Sequence, residues 1–196
     1  MTQETFDWIW IILLFVMIVS RKYHEKKAGK PVSLKGTPVL ESILMILWGL
    51  AAGVIPLIYI FSEWLIFADY AFDIHWILKL TGVFIFVLSI WLLHQSHIDL
   101  GKMWSVKVEP EINNELIVTG VYKRMRHPMY SAHLLWGIGQ LLIFPNYIAG
   151  PSALLIFLIV IKIRIPREEK ALIEQFGNDY KRYISQTRCV FPKLIF

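Results

Sequence analysis

Two segments of this sequence set charged and aromatic side chains at the mouths of apolar stretches. The first is Arg126-His127-Pro128-Met129-Tyr130, preceded by Gly120-Val121-Tyr122. Proline suits the first position of a helix, where its missing N–H would have no partner. A helix opening at Pro128 puts Arg126 and His127 beside the positive end of its dipole, where free backbone N–H groups can meet an anionic ligand group. Arg126 and His127 are equally what a membrane helix carries at its end as interfacial anchors. The second segment is Arg164-Ile165-Pro166-Arg167-Glu168-Glu169, continuing through Leu172, Phe176-Gly177, Tyr180, Tyr183 and Arg188. Arg164 and Glu168 are four apart and share a helix face, either as an i,i+4 ion pair worth about 0.2–0.5 kcal/mol or as a charged pair facing a site. Glu169 projects about 100° away from Glu168, so the two are not expected to act as one carboxylate pair. Leu172, Phe176 and Tyr180 form one stripe, read as packing.

These segments hang on long apolar runs. The chain has 196 residues, of which 56% are hydrophobic, above the roughly 45–50% of a soluble domain. The excess lies in runs with few charges, the pattern of membrane spans. Spans are expected at about Phe6–Ser20, Val39–Phe61, Trp76–His94, from Pro128 to just before Phe144-Pro145-Asn146, and at about Ile148–Ile163. The first is short for a hydrocarbon core of about 30 Å and calls on Arg21 and Lys22 to snorkel. Glu4 and Asp7 precede it where a signal peptide would be basic, so a retained helix is expected. The turn Phe144–Pro151 is short and holds Pro, Asn and Gly, which predicts an antiparallel hairpin of spans four and five. The expected fold is an all-α, polytopic integral membrane helix bundle of about five transmembrane helices with a cytoplasmic C-terminal helical segment. Residues 1–98 would hold the first three spans and a basic inner loop, and 99–196 the motif-bearing region.

Charge sets the orientation. Nineteen of the twenty Lys/Arg lie in three stretches, Arg21–Lys35, Asp99–Arg126 and the segment after Leu158, with Lys79 apart. The loop Ser62–Ile74 carries Glu63, Asp69 and Asp73 and no basic residue. The positive-inside rule then puts the N-terminus outside, the C-terminus inside, and both patterned segments on the cytoplasmic face. The net charge of +5 flanks apolar runs rather than forming one soluble face, which argues against nucleic acid as a partner. The single cysteine, Cys189, excludes an intrachain disulfide and a multi-cysteine zinc or iron–sulfur site.

Gly-Val-Tyr-x3-Arg-His-Pro-x-Tyr, about forty residues ahead of Arg-x3-Glu-Glu-x2-Leu-x3-Phe-Gly-x2-Tyr, resembles the isoprenylcysteine carboxyl methyltransferase family. Within it the chain looks most like the small prokaryotic members, and it is similar to the wider group of membrane phospholipid methyltransferases. The likeness covers about Asp99–Pro192. It implies S-adenosyl-L-methionine as methyl donor and a lipophilic acceptor such as a C-terminal isoprenylcysteine. Family cofactor contacts carry over onto Leu116, Ile117, Tyr122, His127, Pro128, Met129, Tyr130 and Glu168, and the arginine that meets the substrate's carboxylate onto Arg164. Asn114-Glu115 stands where the eukaryotic members tend to have His-Thr.

The residue chemistry suits that implication. Glu168 can pair with a cationic group of the donor, and Arg126, His127 and the helix entrance suit its carboxylate. Tyr122 and Tyr130 offer faces to adenine or to the cation. Methyl transfer to a carboxylate needs alignment and desolvation, and no general base. Arg164 would orient an acidic nucleophile bidentately and repel a protonated amine, which weighs against a phospholipid or small-amine N-methyltransferase. An NADPH-dependent membrane reductase would call for more basic residues around a phosphate. His94 and His97, three apart, are read as interfacial or loop-packing residues rather than metal ligands, and no metal site is expected. His133 and Gln140 lie within the fourth span, where polar residues either serve a site or bond helix to helix.

Overall fold

The computed structural model describes residues 1–28, 38–62, 67–101 and 115–191. The apolar runs fold as helices: α1 (Gln3–Ala28), α2 (Val39–Gly49), α3 (Ile55–Phe61), α4 (Trp76–Leu100), α5 (Pro128–Ile143), α6 (Ser152–Phe176) and α7 (Asn178–Gln186). A π-helical turn, Leu50–Val54, joins α2 to α3, so Val39–Phe61 is one continuous span. By length and composition Gln3–Lys27, Val39–Phe61 and Trp76–Leu100 are each able to cross a membrane.

Three helices differ from expectation. α1 does not stop at Ser20 but runs to Ala28, which gives the first span the length it lacked. α4 runs on to Leu100, so His94 and His97 are both helical. α6 continues through Pro166 to Phe176, so Arg164 and Glu168 stand on the same unbroken helix as the apolar run before them. The hairpin of α5 and α6 forms, but α5 has 16 residues. At 1.5 Å per residue that is about 24 Å, short of a full hydrocarbon thickness.

Close helix approach seats the hairpin. A Cβ on Gly82 of α4 would lie 2.8 Å from Leu142 Cβ and 2.9 Å from the Gly139 carbonyl of α5. Small residues at both positions let the backbones touch, the usual device where lipid gives no hydrophobic drive between helices. Gln140 is fully buried; its amide donates to the carbonyls of Ala51 (3.0 Å), in the π-turn, and Ala149 (2.8 Å). It thus bonds helix to helix, and Ser152 Oγ donates to the same Ala51 carbonyl at 3.0 Å. Buried Glu41 pairs with Arg167 and ties α2 to α6.

The bundle has two unlike ends. At one, Gln3 donates to the Ile143 carbonyl (3.3 Å) and Lys79 to Gln3 (2.7 Å). The Phe144–Pro151 turn meets the 67–74 segment there, through Phe72 N to Pro145 O (3.0 Å), Tyr147 N to Tyr70 O (2.9 Å) and Asn146 Nδ2 to Phe67 O (2.9 Å). The other end gathers Asp99, the 120–127 segment, the second half of α6 and α7.

Candidate functional site

Local backbone chemistry builds the entrance to α5. Gly120 has φ of +57°, and a Cβ there would fall 2.1 Å from Asp99 Oδ2. That oxygen instead accepts from Val121 N at 2.8 Å and starts the short 3₁₀ turn Gly120–Lys123, which buries Tyr122. Tyr183 of α7 donates to the Tyr122 carbonyl at 2.6 Å. The chain after α7 then lies along residues 125–127: Arg126 N donates to Arg188 O and His127 N to Cys189 O, each at 2.9 Å. Pro128 opens α5 as expected. The N–H groups of Arg126 and His127 are therefore spent inside the protein and are not offered to an anion. The Arg126 guanidinium donates to Glu169 (2.8 Å) and to the Thr187 carbonyl (2.6 Å).

A polar junction lies between α5 and α6. Tyr130 Oη donates to Glu168 Oε1 at 2.6 Å and accepts from Arg164 Nε at 3.1 Å, and Arg164 Nη2 reaches Glu168 Oε1 at 3.3 Å. The i,i+4 pair thus forms, with Tyr130 inserted as a third member. Glu168 and Glu169 diverge on the helix, as expected, yet both meet His127. Nδ1 lies 3.5 Å from Glu168 Oε2 and Nε2 3.2 Å from Glu169 Oε1. A carboxylate only accepts, so an imidazole between two of them is held with both nitrogens protonated. Burial opposes the cation of His127, but hydrogen bonds and charge from Glu168 and Glu169 outweigh it and raise the pKa above its ordinary value. Burial likewise opposes the Glu168 anion, and His127, Arg164 and Tyr130 together hold its pKa below the usual range. Glu169 is lowered chiefly by its hydrogen bond from His127, against burial, with Arg126 adding to the shift.

Two cavities flank this junction. One, of about 110 Å³, lies within the bundle behind an apolar wall of Met45, Trp48, Leu93, Phe157 and Val160. Met129, Tyr130, Arg164 and Glu168 line it, as do Arg21, His97 and His133. The other, of about 130 Å³, is lined by Leu116, Ile117, Tyr122 and Arg126 from one side and by Leu172, Phe176 and Tyr180 from the other. The residues singled out in the sequence are therefore divided between two chambers, with His127 at the partition and Pro128 opening the helix. Leu172, Phe176 and Tyr180 line a cavity rather than only packing, because Gly177 (φ +55°) turns α7 back beside α6. Glu169 was not legible as a site residue, although the adjacent Glu-Glu of the motif was its signal. Asn114 lies outside the described residues.

His24, His94 and His97 pack on one another. His24 Nε2 and His94 Nδ1 are 3.0 Å apart, and the His24 ring stacks on His97 with centroids 5.0 Å apart. Ligand atoms of His127, Glu169 and Cys189 lie within 4.8 Å of one another, but Glu169 Oε1 is already shared by His127 and the Arg126 guanidinium.

Comparison with known proteins places this geometry. The family model described as "Isoprenylcysteine carboxyl methyltransferase (ICMT) family" matches residues 80–174. Protein-S-isoprenylcysteine O-methyltransferase B of Arabidopsis thaliana is 29% identical over 120 residues, which are 60% of this chain and 61% of that protein. The Saccharomyces cerevisiae protein-S-isoprenylcysteine O-methyltransferase is 40% identical over 91 residues, 44% of this chain and 36% of that one. The human protein of that name is 31% identical over 108 residues, 54% and 38%. The chain thus spans about three-fifths of the Arabidopsis protein and a smaller share of the other two. The structure of the eukaryotic intramembrane Ras methyltransferase ICMT aligns with a TM-score of 0.58 at 22% identity, over 94% of this chain and 67% of that one. That likeness concerns the fold, a multi-pass membrane helix bundle. The matched residues 80–174 carry most of α4, all of α5 and the polar half of α6.

Proposed function

We propose that this chain is an S-adenosyl-L-methionine-dependent methyltransferase of the membrane that methylates the carboxylate of a lipophilic acceptor, such as a C-terminal isoprenylcysteine. The observation that carries the reading is a pair of cavities linked by a chain of polar contacts: Tyr130, Arg164 and Glu168 line one, Arg126 lines the other, and His127 joins Glu168 to Glu169, which Arg126 holds. A two-substrate transfer needs a polar chamber and an apolar one that share a boundary.

The residues of the polar chamber fit a nucleoside-bearing donor. Tyr180 is fully buried on that wall with a hydroxyl that has no partner among the described residues, and Tyr122 and Phe176 add aromatic faces for a purine. Leu116, Ile117, Tyr122 and Arg126 would hold the donor there, and Met129, Tyr130 and Glu168 the part that reaches the junction. His127 keeps Glu168 and Glu169 ionised and in place, and those carboxylates suit the cationic groups of such a donor. When bound, the donor supplies an electrophilic methyl group on a sulfonium.

The chain's own work is to hold and desolvate the nucleophile. Arg126, His127 and Arg164 bring three positive charges to the junction against the two of Glu168 and Glu169. The excess suits an anionic acceptor and opposes a protonated amine. Arg164 would turn its guanidinium from Glu168 and Tyr130 to the acceptor's carboxylate, a bidentate contact that fixes the attacking oxygen. The apolar wall around Trp48 and Phe157 excludes water, which strengthens that contact. The positive-inside bias puts the junction on the cytoplasmic face and the N-terminus outside, and the two unlike ends of the bundle support it.

Calorimetry of the protein in detergent tests the reading. S-adenosylmethionine or its demethylated product should bind, and Tyr122→Ala or His127→Ala should weaken it. Binding of NADPH instead would replace methyl transfer with a reductase.

A further inference from the structure

We infer that the apolar chamber contains a hydrogen-bond acceptor, His133 Nε2, that selects acceptors bearing an N–H or O–H donor close to the carboxylate. The inference rests on the carboxyl methyltransferase reading and adds a specificity-determining residue to it.

His133 stands three residues after Tyr130 on α5 and lines the same cavity. Three residues advance a helix by about 4.5 Å, so His133 lies nearly one turn deeper than the junction. Its Nδ1 sits 2.6 Å from the Met129 carbonyl. A carbonyl can only accept, so Nδ1 carries the hydrogen and, in the neutral ring, Nε2 is left as an acceptor. Packing fixes the ring. Trp48 meets it edge-on at 4.6 Å between centroids, Phe157 lies at 5.1 Å, and Trp136 is stacked at 6.4 Å. Among the described residues the indole N–H groups of Trp48 and Trp136 meet no acceptor, so neither is spent on His133. Among the described residues no donor of the chain meets Nε2.

Packing alone does not require a polar ring here. A phenylalanine would fill the same space between Trp48 and Phe157 without bringing polar atoms into an apolar wall. What the imidazole adds is one acceptor of fixed direction on the cavity wall, and once a ligand fills the cavity and displaces water, an acceptor left without a donor costs free energy. A ligand donor supplies the match. With its carboxylate at Arg164, an acceptor would place groups a few bonds along its chain at the depth of His133. In an acylated cysteine that group is the amide N–H beside the carboxyl-bearing carbon, whereas a plain fatty acid has none.

A matched pair of ligands tests this: S-farnesyl-N-acetylcysteine and S-farnesyl-N-acetyl-N-methylcysteine, which differ in the one donor N–H. Binding is measured by calorimetry in detergent with S-adenosylhomocysteine present, and methyl transfer in parallel. The native protein should favour the N–H ligand by about tenfold in Kd, His133→Phe should bind both alike, and His133→Gln, which again offers an acceptor, should recover part of the preference. Equal binding of both ligands to the native protein, or a preference that survives His133→Phe, overturns the inference and leaves the carboxylate site standing. If neither ligand binds, the acceptor reading of the cavity fails and the inference with it.

Discussion

Replacing Arg164 and Glu168 separately discriminates a site from a simple ion pair. Arg164→Ala removes a guanidinium that donates to Tyr130 at 3.1 Å and to Glu168 at 3.3 Å. Glu168 then keeps Tyr130 at 2.6 Å and His127 at 3.5 Å, so its position at the junction survives. Donor affinity should stay within a few-fold. Methyl transfer should collapse, because two hydrogen bonds to a carboxylate at about 1.5–3 kcal/mol each amount to about 3–6 kcal/mol. At 1.36 kcal/mol per decade that is about 10²–10⁴ in kcat/KM. Glu168→Ala acts differently. It removes the group that Tyr130, His127 and Arg164 share, and leaves Arg164, whose side chain is 6% exposed, without its carboxylate. Donor affinity should fall by about 1–3 kcal/mol, or about 5–150-fold. Arg164→Lys should stay poor, since an ammonium cannot reproduce the bidentate fork. The assays are calorimetric titration with S-adenosylhomocysteine and transfer of labelled methyl to a farnesylated cysteine. An ion pair that only braces α6 predicts equal losses of donor affinity in both alanine variants, and that result would refute the division of labour.

Three further outcomes are expected. Because the His127 pKa is raised above 6.5, its contribution to stability is complete below 6.5 and fades as pH rises through the higher folded value. Those of Glu168 and Glu169, lowered from 4.5, are complete above 4.5 and fade as pH falls. The contribution of this cluster to thermal stability in detergent should therefore be fullest between about pH 4.5 and 6.5, and His127→Gln should reduce the loss on the alkaline side; an unchanged alkaline limb would count against the bridge. Gly120→Ala must adopt a positive φ and push its Cβ into Asp99, so it should cost about 2 kcal/mol or more in unfolding free energy and weaken donor binding; native stability would show that the 3₁₀ turn does not need this contact. Cysteines introduced at Asp69 and Tyr147 in a Cys189→Ser background should label from one side of the membrane and one at Asn178 from the other, together with Lys30 and Lys107, which lie outside the described residues; same-side labelling of Asp69 and Asn178 would break the arrangement of the two ends.

The sequence shows well what depends on short-range pattern. Apolar runs located the helices, Phe144–Pro151 announced the hairpin, and Pro128 marked the first turn of α5. It shows poorly what depends on where a helix stops. Lys22, Lys26 and Lys27 do not end α1, since long cationic side chains extend a span by reaching for the interface. Pro166 does not end α6, although it removes one backbone donor and leaves the Lys162 carbonyl without its partner. That carbonyl lies where the apolar run gives way to charge, where water can reach it.

The site is the harder part, because spacing within one helix reports a shared face and not what that face meets. Arg164 and Glu168 meet Tyr130, which stands 34 and 38 positions before them. Glu169 projects away from Glu168 and so reads as a bystander. His127, set across the helix crossing, is wide enough to donate to one carboxylate from each ring nitrogen, and divergence on α6 becomes convergence on α5. The same crossing turns an ordinary packing stripe into a cavity wall, since Gly177 folds α7 back and brings Tyr180 and Tyr183 opposite Tyr122. Residue types therefore disclosed which side chains the site could use, while the two-chamber arrangement follows from interhelical geometry. Arg164 and Glu168, one turn apart, line the same cavity, but Glu168 also reaches His127 and through it Glu169 and Arg126 on the side of the other cavity, which is the ground for proposing different ligands for the two.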